Sequence, residues 1–232
     1  MTPSPSTLVV APAQPAREIP ENPAAEAWKT FREESAGHQL TVLHDDGLYR
    51  HLRMAAPGTR MWSWDIVTWP GHLATSGDIA DGYTFSRELD MIDFFHLASH
   101  KEGYYSDGAP SINFRYWAEK LQGEQRQTVK EHRHEHFLQL VKETLEEDLE
   151  NGRLTQEGVD ELTAEASNVE ETGHAAHEWL YQHGDIFPDS WENDFTEYTF
   201  NFQLACYAIA AAVRVYLQTK ASDEPVAEAS GR

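Results

Sequence analysis

Three tight-turn signals between residues 39 and 86 restrict the possible fold more than any other feature of this sequence. Asp46-Gly47, Pro57-Gly58 and Pro70-Gly71 supply the backbone angles that short hairpin connections need. The stretches between these turns have patterns that favour strands, and a polar loop at 77–82 precedes the last one. The predicted strands span residues 39–44, 48–56, 60–69, 72–76 and 83–86. The sequence therefore predicts an antiparallel meander of four or five strands.

The segment 61–69 alternates in the way expected of a strand that buries one face. One predicted face carries Trp62, Trp64, Ile66 and Thr68. Large aromatic side chains dominate the energetics of protein cores. We therefore favour a position for the tryptophans between the sheet and the helices.

After Ser86 the apolar residues recur at helical rather than alternating spacing. Ser86 is a candidate N-cap for a helix over 87–100. Further helices are predicted at 113–121, 124–150, 155–169 and 174–183, and a last helix ends the segment 191–218. Strands followed by helices predict an α+β fold, in which the N-terminal sheet packs against a C-terminal set of helices. We expect a single domain over 26–220, with the sheet at about 39–86 and helices at about 87–218.

Both ends of the chain have compositions that disfavour regular structure. Residues 1–25 hold six of the eleven prolines, which remove backbone donors and disfavour helix in the residue before each of them. These residues are predicted to form a disordered, extended arm. The polar tail at 221–232 is also predicted to be disordered.

Nothing in the sequence predicts export or membrane insertion. The apolar stretch around Leu8 is too short for a secretory signal, and no Lys or Arg precedes it. The longest apolar run, 204–213, has ten residues, whereas a bilayer span needs about twenty. The single cysteine, Cys206, cannot form an internal disulfide. We expect a soluble protein of the cytoplasm.

The chain is strongly acidic, with 39 acidic against 18 basic side chains and a formal net charge of −21. Binding to phosphates or to anionic membranes depends on Lys and Arg, so this charge argues against direct electrostatic binding of either. The excess lies mainly in the second half, because residues 1–122 carry −6 and residues 123–232 carry −15. Between residues 143 and 197 there are 17 acids and one base, Arg153.

Helical spacing is expected to spread many of these acids over an exposed surface that attracts a basic partner. The residues predicted to bind such a partner are Glu143, Glu146, Glu147, Asp148, Glu150, Glu157, Asp160 and Glu161. The partner would be a protein with a basic, nucleic-acid-binding surface, and the acidic surface would then act as a DNA mimic. The alternative is an acidic surface that serves solubility alone.

Histidines are the strongest candidates for chemistry. His132 and His136 are four residues apart within a predicted helix, and His174 with His177 forms a second close pair. The arrangement lacks the His-Glu-x-x-His spacing of a metallopeptidase helix. We therefore predict no metal site and no cofactor, and keep a metal-dependent enzyme using His132 and His136 as an alternative.

A second alternative is a site for a nucleotide signal, which the protein would bind or degrade. It would use the aromatic and basic residues of the sheet, with bases stacking on the tryptophans. Its candidate residues are Arg50, Arg53, Trp62, Trp64 and His72. The sequence contains no nucleophile elbow, phosphate-binding loop or dinucleotide fingerprint, so the pattern favours a protein that is not an enzyme.

Several segments of the first half, including Asp46-Gly47 and Trp69-Pro70-Gly71-His72, carry a resemblance to a known family. These segments are 46–53, 57–59, 64–73, 76–78, 83–87, 90–95 and 116–121. In this combination the chain resembles a family of small accessory proteins of tailed phages and prophages. The resemblance covers roughly 44–122, extends only loosely into the acidic half, and fails at loop 77–82 and at 113–115. It implies a phage genome as the context without implying a particular chemistry.

Charge and resemblance together predict a non-enzymatic phage accessory protein of the bacterial cytoplasm. We expect it to bind and modulate a nucleic-acid-handling protein through its acidic helices. The target would be a host-defence complex, which it would inhibit, or a phage recombination or replication protein. The oligomeric state has no signal in the sequence.

Overall fold

The computed structural model describes residues 22–80, 82–96 and 104–223. Within these residues a five-stranded antiparallel sheet follows one N-terminal helix and is itself followed by helices, which confirms the predicted α+β class. The helices are α1 (Ala25–Glu34), α2 (Met91–Phe94), α3 (Phe114–Ala118), α4 (Gln125–Thr128), α5 (His134–Glu150), α6 (Gln156–Ala166), α7 (Gly173–Gln182) and α8 (Phe200–Asp223). The strands are β1 (Gln39–Asp46), β2 (Tyr49–Ala55), β3 (Trp64–Trp69), β4 (His72–Gly77), β5 (Thr84–Ser86), β6 (Lys130–His132) and β7 (Thr196–Tyr198).

Strands β1 to β5 form a meander, because each strand pairs with the next one along the chain. Gly47 and Gly71 have φ angles of 61° and 79° in the turns after β1 and β3, a conformation that glycine adopts without steric cost. The β1–β2 register shifts between Val42 and His44, which marks a β-bulge in the edge strand. The predicted meander is confirmed, with each strand boundary displaced by a few residues at most.

The sheet buries one face under α8 and α1. Along β3, Trp64, Ile66 and Thr68 are buried, as the alternation predicts. The indole Nε1 of Trp64 donates to the Ala208 carbonyl oxygen at 3.1 Å, which satisfies its one polar atom within the core. The predicted core position is therefore confirmed for Trp64, whereas Trp62 is only partly buried at the edge of this core.

Helix α8 is the central helix of this core. In the described part of the chain, its segment Phe200–Ser222 is the one helix long and apolar enough to cross a bilayer, with a mean hydropathy of 1.3. The most apolar window of that segment is 61% buried within the fold. Its buried side packs against the sheet and α1, as expected of a helix within a hydrophobic core.

Helices α5, α6 and α7 surround a second hydrophobic cluster, and we refer to residues 134–195 as the helical lobe. Its buried residues are Phe137, Val141, Leu145, Ala166, Ala176, Trp179, Leu180, Phe187 and Phe195. A two-stranded antiparallel ribbon of β6 and β7 stands at the base of the lobe, since β6 leads into α5 and β7 leads into α8.

The predicted helix over 124–150 is wrong in its first part. The chain forms the short helix α4 and then strand β6, and α5 begins only at His134. Lys130 pairs with Tyr198 and His132 with Thr196, so a partner more than sixty residues away imposes the extended conformation. Tertiary pairing here overrides the local helical pattern.

The predicted helix over 87–100 is also longer than the observed one. Helix α2 spans Met91–Phe94, and Asp90 rather than Ser86 caps it by accepting from the Ile92 N–H at 2.9 Å. Ser86 instead belongs to β5, and its N–H donates to the Lys120 carbonyl oxygen. The end of the predicted helix, 97–100, lies outside the described residues.

Most of the predicted N-terminal arm, residues 1–21, lies outside the described residues. The described chain begins with Asn22, which is buried, and α1 follows at a place where no helix was predicted. At the other end α8 continues to Asp223, beyond the predicted helix end and into the predicted tail. Residues 224–232 lie outside the described part.

Candidate functional site

Seven of the eight acidic residues predicted to bind a partner are exposed on two helices of the helical lobe. Helix α5 contributes four of them and α6 contributes three. They are Glu143, Glu146, Glu147, Glu150, Glu157, Asp160 and Glu161, and we refer to them as the acidic helical surface.

The apolar face of α5 sets the position of this surface. Phe137, Val141 and Leu145 follow at four-residue spacing and are buried in the lobe, so the acids between them face solvent. Helix α6 starts at an N-cap, because the Thr155 hydroxyl accepts from the Gly158 N–H at 3.3 Å. The lobe thus holds both acidic rows on regular helices rather than on loops.

Few basic groups neutralise the acidic helical surface. Lys142 lies 3.9 Å from Glu146, and Arg153 lies 3.5 Å from Glu147. Both contacts join exposed side chains, and exposed ion pairs of this kind contribute little to the free energy of folding. The other five acids of the surface have no ion pair with a Lys or Arg of the described residues. The surface therefore creates a negative field that extends into solvent.

Asp148 does not belong to this surface, and its predicted exposure is wrong. Its side chain is buried at the lobe side of α5, where a carboxylate oxygen lies 2.6 Å from Arg153 Nη2. The Asp148 carbonyl oxygen also accepts from the N–H groups of Arg153 and Leu154. Asp148 therefore holds the turn after α5 in place.

The residues of the alternative nucleotide site lie on two opposite faces of the sheet. Trp64 is buried beneath α8, and Arg50 on the same face lies 3.2 Å from the Tyr216 hydroxyl of α8. Arg53 and His72 belong to the opposite face by the alternation of β2 and β4. Trp62 lies at the end of the sheet, before β3. The structure does not bring these five residues together.

The two arginines of this group are committed to carboxylates of the fold. Arg50 forms a bidentate pair with Asp90 at 2.8 and 2.7 Å. Burial alone would lower the Arg50 pKa, but the hydrogen bonds and charges of Asp90 and Tyr216 together raise it. Arg53 forms a second bidentate pair with Asp65, and its hydrogen bonds lower the Asp65 pKa. The Arg50–Asp90 pair links β2 to the N-cap of α2, and the Arg53–Asp65 pair links β2 to β3. Without these pairs the four side chains would carry unpaired charge.

The two predicted histidine pairs, His132 with His136 and His174 with His177, do not form a common site. His132 is in strand β6 and His136 is in helix α5, so the predicted placement of both on one helical face is wrong. His136 contacts Glu197 at 3.2 Å, and the exposed His174 lies 3.9 Å from Glu178. His177 is bound by two carbonyl oxygens. Among the described residues, no three His, Cys, Asp or Glu side chains are grouped so that they could hold a metal ion.

Sequence reasoning missed a cluster of His132, His134 and His177 at the base of the helical lobe. Both ring nitrogens of His132 are shielded from solvent and have no hydrogen-bond partner among the described residues. Burial, followed by the neighbouring His134 and His177, lowers the His132 pKa. The cluster depends on the pairing of β6 with β7, which has no local signal in the sequence.

No protein-family model matches this chain, and neither does any curated protein or any solved structure. The resemblance to small phage accessory proteins stays a prediction from the residues quoted above. Apart from Asp148, the acids predicted to bind a partner are exposed on α5 and α6.

Proposed function

We propose that the protein is a non-enzymatic binding protein that modulates a nucleic-acid-handling protein through its acidic helical surface. The observation that carries this proposal is the exposure of seven carboxylates on α5 and α6 within a segment that holds 17 acids and one base. A surface of this kind repels anionic ligands and attracts basic ones. A basic protein surface is therefore the partner that its charge fits.

The spacing of the acids supports a surface that imitates nucleic acid. Carboxylates one helical turn apart repeat about every 5.4 Å along α5 and α6. Duplex DNA likewise presents regular rows of negative charge, about one per 3.4 Å of helix axis on each strand. A groove that binds phosphates with Lys and Arg offers matching positive charge, so the acidic helical surface would compete with DNA for it.

The resemblance of the first half supplies the biological context of the proposal. A phage accessory protein would act in the cytoplasm of the bacterial host, where its target would be a host-defence complex or a phage recombination or replication protein. Inhibition is the expected outcome for a defence complex, because the acidic surface would occupy the site that binds DNA.

Co-purification from host lysate tests the proposal. The full chain is immobilised and exposed to lysate at low ionic strength, and bound proteins are eluted either with salt or with duplex DNA. We expect basic nucleic-acid-binding proteins to be retained at low salt and released by both eluents, since screening and competition act on the same contacts. If no protein is retained at low salt, the result contradicts the proposal.

A further inference from the structure

The helical lobe is an insertion between two paired strands, because β6 leads into it and the chain returns through β7. Its buried residues form a hydrophobic cluster separate from the one shared by the sheet, α1 and α8, which we call the sheet core. The most extensive contacts of α5 are with α6 and α7, whereas those of α8 are with α1 and the sheet. A segment joined in this way can open as one cooperative unit while the rest of the molecule stays folded.

The histidine cluster lies where the helical lobe joins the ribbon. His132 is in β6, His134 is the first residue of α5, and His177 belongs to α7. The rings of His132 and His134 lie 6.1 Å apart between centroids, and Phe195 packs edge-on against His132 at 6.4 Å. The start of α7 is also close, because a Cβ atom on Gly173 would lie 3.5 Å from His132 Nδ1. The His132 ring is therefore close to α5, to α7 and to the segment that leads to β7.

A proton on His132 finds no acceptor in the folded lobe. Both ring nitrogens of His132 and Nδ1 of His134 are shielded from solvent and have no hydrogen-bond partner among the described residues. A charged imidazole has two N–H groups, and burying it without acceptors is costly. His177 differs, because its Nδ1 and Nε2 lie 2.7 and 3.1 Å from the carbonyl oxygens of Gly173 and Asn193. A charge on His177 is thus hydrogen-bonded on both sides, and it repels a second charge on His132.

Two carboxylates near the cluster act in the opposite direction. Glu135 of α5 and Glu171, just before α7, attract a charge on His132. Both are exposed, so water screens them, and neither accepts a hydrogen bond from the His132 ring. Burial, followed by the neighbouring His134 and His177, outweighs them and lowers the His132 pKa.

The charged groups of the ribbon are already paired with one another. Arg133 lies 3.1 Å from Glu131 and 3.3 Å from Glu197, and His136 lies 3.2 Å from Glu197. All four side chains are more than one-third exposed, so their effect on His132 is also screened by water. The ribbon therefore supplies no compensating partner for a charge on His132.

We propose that the helical lobe opens as a unit when the histidine cluster takes up protons, while the sheet core stays folded. Opening means here that α5, α6 and α7 lose their packing together. The folded lobe holds His132 neutral, whereas in the open lobe the ring is solvated and can be charged. Protons therefore favour the open lobe as the pH falls below about 6.5. The sheet core responds less, since the hydrogen bonds of Arg53 lower the Asp65 pKa and keep that pair charged.

Opening of the lobe would also affect the acidic helical surface. The lobe holds the acidic rows of α5 and α6 on packed helices, and loss of packing would disperse them. Binding of a basic partner through this surface would then be strongest near neutral pH. This consequence rests on the proposed function, whereas the opening itself does not.

Amide hydrogen exchange of the full chain at pH 7.5 and 5.5 tests this proposal. Each rate is divided by the intrinsic exchange rate at the same pH, so that only protection is compared. We expect protection in α5 and α7 to fall by about threefold or more at the lower pH, while β2 and β3 keep theirs. Equal losses in the lobe and the sheet core, or no loss in the lobe, would overturn the proposal. No partner is present, so the result does not depend on the proposed function.

Substitution of His132 assigns the effect to the cluster. His132→Leu removes the ring that takes up the proton, and its lobe is expected to keep most of its protection at pH 5.5. His174→Leu is the matched control on α7, because the His174 side chain is 92% exposed and its loss is expected to leave the wild-type response unchanged. His132→Gln is a second neutral variant in case the leucine variant does not fold. A full wild-type response in a folded His132 variant would contradict the role of the cluster.

Discussion

Asp148 differs from its acidic neighbours near the end of α5, because its carboxylate is buried and lies 2.6 Å from Arg153. Helical spacing separates it from Glu147, because Asp148 follows Leu145 by three residues and Val141 by seven and therefore lies on the buried face of α5. The path of the chain after the helix then folds Arg153 back onto Asp148. A residue in the middle of an acidic run is therefore structural.

We predict that Asp148→Ala destabilises the protein by about 1–3 kcal/mol, because it removes a buried acceptor and leaves Arg153 without its closest partner. Glu147→Ala is the matched control, since Glu147 is exposed and its change is expected to stay within about 0.5 kcal/mol. Urea denaturation followed by circular dichroism measures both free energies of unfolding. Equal effects of the two substitutions would contradict the structural role of Asp148.

His132 makes the stability of the fold depend on pH. Its pKa is lowered in the folded state from the ordinary value of 6.5, chiefly by burial and also by His134 and His177, while Glu135 and Glu171 act in the opposite direction. The unfolded chain therefore binds more protons in this range, and folding favours neutral His132. Its stabilising effect is complete above pH 6.5 and is lost as the pH falls through the folded-state pKa.

We accordingly expect His132→Leu to lose less of its free energy of unfolding than the wild type when the pH falls from about 7.5 to 5.5. The control is His174→Leu, because the His174 side chain is 92% exposed and is expected to keep the wild-type pH profile. Thermal unfolding at a series of pH values gives the comparison. If His132→Leu and the wild type have the same pH profile, the fold does not require a buried, neutral His132.

At the scale of elements, β4 ends at a glycine that the sheet needs for a close approach. Gly77 has a φ angle of 113°, and a Cβ atom at this position would lie 2.8 Å from the Trp64 Cα. Backbone lies on the other side of this contact, so a small side-chain movement cannot relieve it. The end of β4 therefore packs against the start of β3 only when residue 77 has no side chain.

Gly77→Ala is expected to reduce the free energy of unfolding by about 3 kcal/mol, which combines an unfavourable φ with the clash against β3. Gly37→Ala provides the control, because no atom lies within 4 Å of a Cβ there and the backbone angle is ordinary. Chemical denaturation of both variants decides the point, and a Gly77→Ala protein as stable as Gly37→Ala would refute the predicted clash.

The elements also show where sequence reasoning succeeds and where it fails. The meander could be predicted because its signals are local, with a turn pair between neighbouring strands at Gly47 and Gly71. Strand β6 could not, because its partner β7 is far along the chain and the intervening residues form the helical lobe. The same non-local pairing displaced His132 from its predicted helix. It also brought His132 beside His177, which no spacing in the sequence could indicate.

The two hydrophobic clusters of the molecule differ in the charge that surrounds them. The sheet, α1 and α8 share one hydrophobic cluster, and α5 to α7 surround another whose outer surface carries the unbalanced acids. The numbers of charged residues in the two halves locate this excess in the second half, and helical periodicity places most of it on the solvent side. The tertiary structure was needed to show that Arg50 and Arg53 are already paired with carboxylates of the fold.

We propose that a partner recognises the acids of α5 rather than the negative charge of the molecule as a whole. A variant with Gln at Glu143, Glu146, Glu147 and Glu150 removes four exposed charges from α5. A control with Gln at Glu26, Glu33, Glu34 and Glu88 removes the same number of exposed charges from α1 and the loop before α2. Both variants therefore have the same net charge.

The decisive measurement is the amount of host protein that each full-length variant retains at low ionic strength, relative to the wild type. We predict that the α5 variant loses about tenfold or more of the retained partner, whereas the control keeps nearly all of it, because contact charges act at short range. Equal retention by the two variants would contradict the account.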